Sequence, residues 1–164
     1  MLSVRRTIID DVDKIDNIFN IARAYMRSYG NINQWNGEYP NHNDVFNDIN
    51  NDNAYSIVDG DEVVGYFAFI IGEEKTYNYI ENGAWLNNEP YGTIHRIASN
   101  NKVHDVFSVA LDYCLSKIDN VRIDTHNDNV VMKHVIEKHN FKYCGIIYVE
   151  DASPRNAYQL CKKY

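Results

Sequence analysis

Residues 123–151 read IDTHNDNVVMKHVIEKHNFKYCGIIYVED, and this stretch spells a strand, a helix and a second strand in succession. Its opening residues complete a short buried strand over residues 121–124 that carries Val121 and Ile123. Asp128 or Asn129 then offers a side-chain oxygen to the unpaired amides of a helix's first turn. The helix is predicted to run to His139, where Asn140 suits the left-handed position that ends helices. Residues 142–149 and 156–160 follow as strands, joined across a turn at 150–155.

Working outward, residues 102–118 carry Val103, Val106, Phe107, Ala110, Leu111 and Cys114 at the 3.6-residue spacing of a helix, after a strand over 93–98. Residues 54–58 and 62–71 form a β-hairpin about Asp59 and Gly60. Nearer the N-terminus, a strand over 4–9 precedes a helix with Val12, Ile15, Phe19, Ala22, Met26 and Tyr29 on one face. Residues 30–40 are a loop and 43–50 a short second helix. Within residues 73–92, aromatics alternate with turn formers, giving a predicted short strand at 77–80 inside a loop. Antiparallel hairpins combined with strand-helix-strand crossovers make this an α/β chain with a mixed sheet covered by helices.

The chain has 164 residues, which suits one domain over residues 1–164. A hydrophobic fraction of 45% supplies a core of that size, so the chain is expected to be folded throughout. Net charge is -7 and neither Lys nor Arg forms a run, which argues against nucleic acid and favours a cationic partner. No apolar stretch is long enough to span a membrane, and residues 1–6 lack the apolar middle of a signal peptide, so a cytoplasmic location is expected. Three widely spaced cysteines, Cys114, Cys144 and Cys161, fit neither a disulfide framework nor a zinc cluster.

The segment 123–151 resembles the closing half of GNAT (GCN5-related) N-acetyltransferases. DGDEVVGY at 59–66 resembles the family's second and third strands, IHRIAS at 94–99 its fourth, and INQWNGEYP at 32–40 the loop between the first two helices in a bacterial branch. The resemblance spans nearly the whole chain. It implies a mixed, largely antiparallel sheet flanked by helices and splayed between the fourth and fifth strands, with the pantetheine arm of acetyl-CoA in the gap. It further implies that the CoA diphosphate sits on the amides opening the following helix, here Lys102, Val103, His104, Asp105, Val106 and Phe107. Helix N-termini suit anions because their first N–H groups are unpaired and the dipole is positive there. Val103 and Asp105 stand where the family has glycines, and Ile136 stands where a proton-donating Tyr is common.

On the same resemblance, backbone amides near Ile97, Ala98 and Ser99 would polarise the acetyl carbonyl, and Asn129 would bond a pantetheine amide. Capping alone also accounts for Asn129. Two-residue alternation predicts Thr93, His95 and Ile97 on one face of the fourth strand. His95 is then either the base that deprotonates the acceptor or a hydrogen-bonded strand residue. Gln34, Trp35 and Tyr39 lie in a loop, where they contact the acceptor or anchor the loop.

Asp48, Asn50, Asp52, Ser56 and Asp59 imitate a calcium loop, but a strand rather than a helix is predicted to follow. His126, His134 and His139 lack the spacing of a zinc motif, so no metal is expected. The resulting expectation is an acetyl-CoA-dependent N-acetyltransferase acting on a small-molecule or peptide amine in a ternary complex. The alternative is a module of this fold that binds CoA or another ligand without turnover. Oligomeric state is open between monomer and homodimer.

Overall fold

The structure is a computed structural model in which residues 1–162 are described. A seven-stranded sheet, in the order β1-β2-β3-β4-β5-β7-β6, carries the fold. Its strands are β1 (Leu2–Arg6), β2 (Ala54–Asp59), β3 (Glu62–Ile71), β4 (Gly92–Ser99), β5 (Asn120–Thr125), β6 (Lys142–Tyr148) and β7 (Pro154–Cys161). Every neighbouring pair is antiparallel except β4 and β5. The sheet is therefore mixed and largely antiparallel, as expected.

Four α-helices cover it: α1 (Val12–Ser28), α2 (His42–Asn50), α3 (Val106–Lys117) and α4 (Val130–Lys138). Strand alternation sorts the core into two faces. Phe107, Ala110, Leu111 and Cys114 of α3, with Ile136 of α4, pack against Ile57, Phe67, Ile94 and Ile123. On the opposite face, Ile15, Ile18 and Phe19 of α1 and Val45 of α2 meet Ala54, Val58, Val63, Tyr66 and Ala98. A third cluster, built on Tyr77, Ile147 and Ala157, seats the connection 72–91 on β6 and β7.

Three local predictions are corrected. The first strand stops at Arg6 and a 3-10 turn spans Ile9–Asp11, because the buried Asp11 carboxylate accepts from the Arg5 guanidinium at 2.7 and 2.9 Å and from the Ile8 amide at 3.0 Å. The predicted strand at 77–80 is instead a 3-10 turn, Lys75–Tyr77, followed by an isolated bridge between Glu81 and Ile146. Glu74 caps that turn through the Thr76 amide, while Tyr77 turns inward and is 1% exposed. The third helix begins at Val106 rather than Lys102, since Asp105 adopts a left-handed conformation that a helix cannot include.

All three cysteines are buried and free. Among the described residues, no helix is long and apolar enough to cross a membrane.

Candidate active site

The site begins where β4 and β5 part. They pair only at Gly92 with Val121 and Thr93 with Arg122, so the edge of β4 beyond Thr93 has no β5 ladder partner. On its other edge β4 carries a bulge: His95 faces Ala68 and Ala98 faces Tyr66, leaving Arg96 and Ile97 opposite Phe67. Arg96 has φ 54. Such a conformation costs a side-chain-bearing residue about 1–2 kcal/mol. The compensation is an ion pair, in which the Arg96 guanidinium donates through Nε at 3.0 Å to Asp48, whose side chain is 6% exposed. The same carboxylate accepts from Tyr66 Oη at 2.6 Å.

The bulge corrects the predicted alternation. Thr93 and His95 keep one face, but Ile97 crosses to the other and packs against the α3 core with Ile94. Ala98 joins the α1 core and is 7% exposed, so only its backbone is available to a ligand.

Beside the splay lies a cavity of about 610 Å³, into which His95, Gln34, Trp35 and Tyr39 all face. His95 Nε2 lies 3.1 Å from Glu74 Oε1. That contact, together with the Thr76 donors and against partial desolvation, holds the Glu74 carboxyl down at about 2. Asp124, on β5 across the gap, accepts from Tyr77 Oη at 2.6 Å. Burial pushes the Asp124 carboxyl upward, an effect that this hydrogen bond and the nearby His95 only partly oppose. Asp44, Glu150 and Asp151 add further carboxylates, against Arg96, already paired with Asp48, and Arg155. The cavity is acidic.

The opposite wall is the loop after α1. Arg27 clamps it by donating to the carbonyls of Asn31 at 2.8 Å and of Gln34 and Trp35 at 2.9 Å. Trp35 meets Phe19 edge-on at 5.7 Å, so its ring is anchored while one part lines the cavity. Tyr39 Oη accepts from Arg96 at 3.1 Å. Gln34 Oε1 accepts from Asn31 and from Asn129 Nδ2.

Asn129 caps α4 by accepting from the Met132 amide at 3.0 Å, and its Oδ1 also accepts from Tyr29 Oη at 2.7 Å. It is 2% exposed. Its side chain thus caps α4, as one of its two expected roles required, and ties that helix to the loop through Gln34.

At the far end of β4, residues 100–105 form an irregular turn into α3. Asp105 has φ 71 and makes no side-chain cap hydrogen bond. The amides of Val106, Phe107 and Ser108 open the helix, since the Val109 amide is the first to bond back, to the Asp105 carbonyl at 3.0 Å. The side chains of Val106 and Phe107 are buried in the core, so a ligand meets only their backbone. Val103 packs against the same core, whereas Lys102, His104 and Asp105 are exposed. An unpaired strand edge leading to uncapped helix amides fits an extended amide-bearing arm ending in a diphosphate.

The remaining candidates are absorbed elsewhere. Asp48 is the partner of Arg96, and a strand follows the calcium-like segment. His126 Nδ1 accepts from the Asp128 amide, and His139 packs at a tilt against Phe107 with its Nδ1 near the Val135 carbonyl. Ile136 is fully buried in the α3 core. Among the described residues no group of His, Cys, Asp and Glu gathers as a metal cluster. Glu74, Asp124 and Arg96 were not singled out from sequence. The only signal for Asp124 was its place one strand residue beyond the buried Ile123.

No protein-family profile matches the chain, and no curated protein does. Solved structures do. A GNAT-family acetyltransferase from Streptococcus agalactiae is 32% identical, with 99% of this chain and 96% of that chain covered and a TM-score of 0.90. GNAT-family acetyltransferases from Listeria monocytogenes (14% identity, 96% and 93% covered, TM-score 0.69) and Bacillus cereus (17%, 99% and 98%, 0.64) share the fold. With the splayed β4–β5 pair and a relative of that similarity over essentially its whole length, the chain belongs to the GNAT family of acetyl-CoA-dependent N-acetyltransferases.

Proposed function

We propose that the enzyme acetylates a cationic amine, of a small molecule or a peptide, by direct attack in a ternary complex. Bound acetyl-CoA supplies the activated acetyl thioester. The β4 edge at Ile97, Ala98 and Ser99 hydrogen-bonds the pantetheine arm and polarises the acetyl carbonyl. The amides of Val106, Phe107 and Ser108 take the diphosphate, with Lys102 and His104 close by in sequence. Gln34, Trp35 and Tyr39 wall the acceptor cavity, and Trp35 offers a ring face to an ammonium group. His95 removes the ammonium proton before attack.

The observation that carries this reading is the position of His95 on β4 at the splay, facing an acidic cavity. An acceptor amine is mostly protonated at neutral pH. Carboxylates attract it in that form, and a base must then neutralise it before its lone pair can attack.

The test is CoA release with a panel of monoamines, diamines, amino acids and peptides, with wild type beside His95→Gln. Cationic amines lacking a carboxylate should turn over best, and His95→Gln should lower kcat/KM by about 100-fold or more while acetyl-CoA affinity stays within a few fold. A normally folded His95→Gln enzyme that keeps most of its activity would remove His95 from the chemistry. A second reading, ligand binding without turnover, draws support from the Asp105 carboxylate at the start of α3 and from the burial of Ile136. It predicts acetyl-CoA binding with no CoA release across the whole panel.

A further inference from the structure

We propose that Glu74 is a positioning residue for catalysis: its carboxylate takes the Nε2–H of His95, which leaves Nδ1 as the ring atom that accepts the acceptor's proton. The proposal rests on the reading of His95 as the base. Nothing in the sequence marked Glu74, because it lies in an irregular connection 21 positions before His95 in the chain.

The geometry is a relay of fixed groups. Glu74 Oε1 stands 3.1 Å from His95 Nε2. Its other oxygen, Oε2, accepts from both the backbone amide and the hydroxyl of Thr76, each at 3.1 Å. The Glu74 amide in turn donates to Tyr91 Oη at 2.8 Å. Tyr91 is held by its ring, which lies against the buried Arg122 guanidinium at 3.9 Å, with Trp85 on the same guanidinium at 4.1 Å. Glu74 is thus the end of a braced strap and not a freely rotating surface acid.

A neutral imidazole carries one N–H and one lone pair, and an ionised carboxylate can only accept. The Glu74 contact therefore assigns the N–H to Nε2 and the lone pair to Nδ1. Among the described residues, the ring's one polar contact is that to Glu74. Asp124 from β5 is engaged by Tyr77, and Arg96 on the same strand turns away to Asp48. In the step itself one ammonium N–H bond breaks and its proton joins Nδ1; the freed electron pair forms the N–C bond to the acetyl carbon as the C–S bond breaks, CoA departs as its thiolate, and a second proton from the acylated nitrogen goes to that thiolate to give the amide and free CoA. The resulting imidazolium sits against the Glu74 carboxylate and passes its proton to water after turnover.

The test compares wild type, Glu74→Ala and Glu74→Gln, using the full chain and the best acceptor from the amine panel. In the ¹⁵N spectrum of labelled protein, wild type should show a slowly exchanging His95 Nε2–H resonance, which Glu74→Ala should lose. Glu74→Ala should also lower kcat by about 10- to 100-fold through misorientation of the base, with the acetyl-CoA KM within a few fold. Glu74→Gln retains an acceptor oxygen and should recover the resonance and part of kcat. A folded Glu74→Ala variant with an unchanged resonance and unchanged kcat would overturn the proposal. Full activity in His95→Gln would instead overturn the base reading beneath it, so the two failures are told apart.

Discussion

Asp48→Ala should be among the most damaging single changes outside the cavity's own chemistry. The carboxylate is 6% exposed and accepts two bonds from the Arg96 guanidinium and a third from Tyr66. Its removal leaves a largely buried cation and a fully buried phenol without their acceptor. Breaking a buried pair from one side costs about 3–5 kcal/mol, against a total stability of about 5–15 kcal/mol for a domain. The loss reaches the site as well, since the pair offsets the left-handed strain at Arg96 that keeps the β4 bulge next to His95.

The double variant Asp48→Leu with Arg96→Met separates these effects. Apolar side chains of similar volume remove the buried charge, and with Tyr66→Phe added, so that no buried hydroxyl is left without its acceptor, stability should return to within about 1–2 kcal/mol of wild type. Activity should stay low, since nothing then holds the bulge. Urea unfolding followed by Trp35 and Trp85 fluorescence reads the first quantity and CoA release the second. A cost below about 1 kcal/mol for Asp48→Ala would refute the argument for stability. A fully active double variant would refute the argument that the ion pair shapes the site.

Other expectations follow from single contacts. Acetyl-CoA at 100 times its Kd should stabilise the protein by about 2.7 kcal/mol, read as a Tm shift. Asp105→Gly should tighten acetyl-CoA binding and raise stability by about 1 kcal/mol through relief of the positive φ, whereas Asp105→Asn should bring only the gain in affinity. Arg27→Met removes three carbonyl contacts from the acceptor loop and should raise the KM for the amine while leaving that for acetyl-CoA unchanged, measured by steady-state kinetics. Glu74 is held below its usual value near 4.5, at about 2, first by His95. Its contribution to stability is therefore present above pH 4.5 and lost as pH falls toward 2. Glu74→Gln should flatten that part of the stability-pH curve, and an unchanged curve would mean that the carboxylate contributes nothing to folding.

The elements with strong local periodicity were legible from sequence. The strand Glu62–Ile71 has the predicted bounds, and α1, α4 and the β6–β7 hairpin lie within a few residues of theirs. Local pattern failed where a distant partner decides. Alternation from Thr93 carries no sign of the bulge at Arg96, because the partner that offsets its strain, Asp48, lies on α2, 48 positions away in the chain. The 3-10 turn at Lys75–Tyr77 replaces a strand because Tyr77 is drawn inward toward Asp124, a contact across 47 positions. His95 could be named from residue type and family likeness, but its partner Glu74 could not, since a capping Glu in a loop looks like any other surface acid.

The two departures from the family pattern in the proposed diphosphate loop have different physical consequences. At Val103 a side chain where relatives have glycine packs against the α3 core, so its bulk leaves the mouth of the loop. At Asp105 the backbone takes the φ of 71 and ψ of 16 that suit glycine, which Asp tolerates better than most residues. The proposed cradle thus keeps, at Asp105, the backbone shape that a glycine would give it. What remains is charge: the Asp105 side chain is exposed and is not spent on capping α3, so the first-turn amides stay available while a carboxylate stands beside them. A like charge about 5 Å from a diphosphate costs on the order of 3 kcal/mol at an effective dielectric near 20, before salt screening. Lys102 offsets little of this from its position at 4.0 Å from Glu62, where both groups are exposed. If the diphosphate lies at the proposed site, an impediment of charge rather than shape would weaken acetyl-CoA binding and leave the geometry of transfer intact, so on that proposal the departure from the family pattern argues for a raised KM and not for a lost reaction.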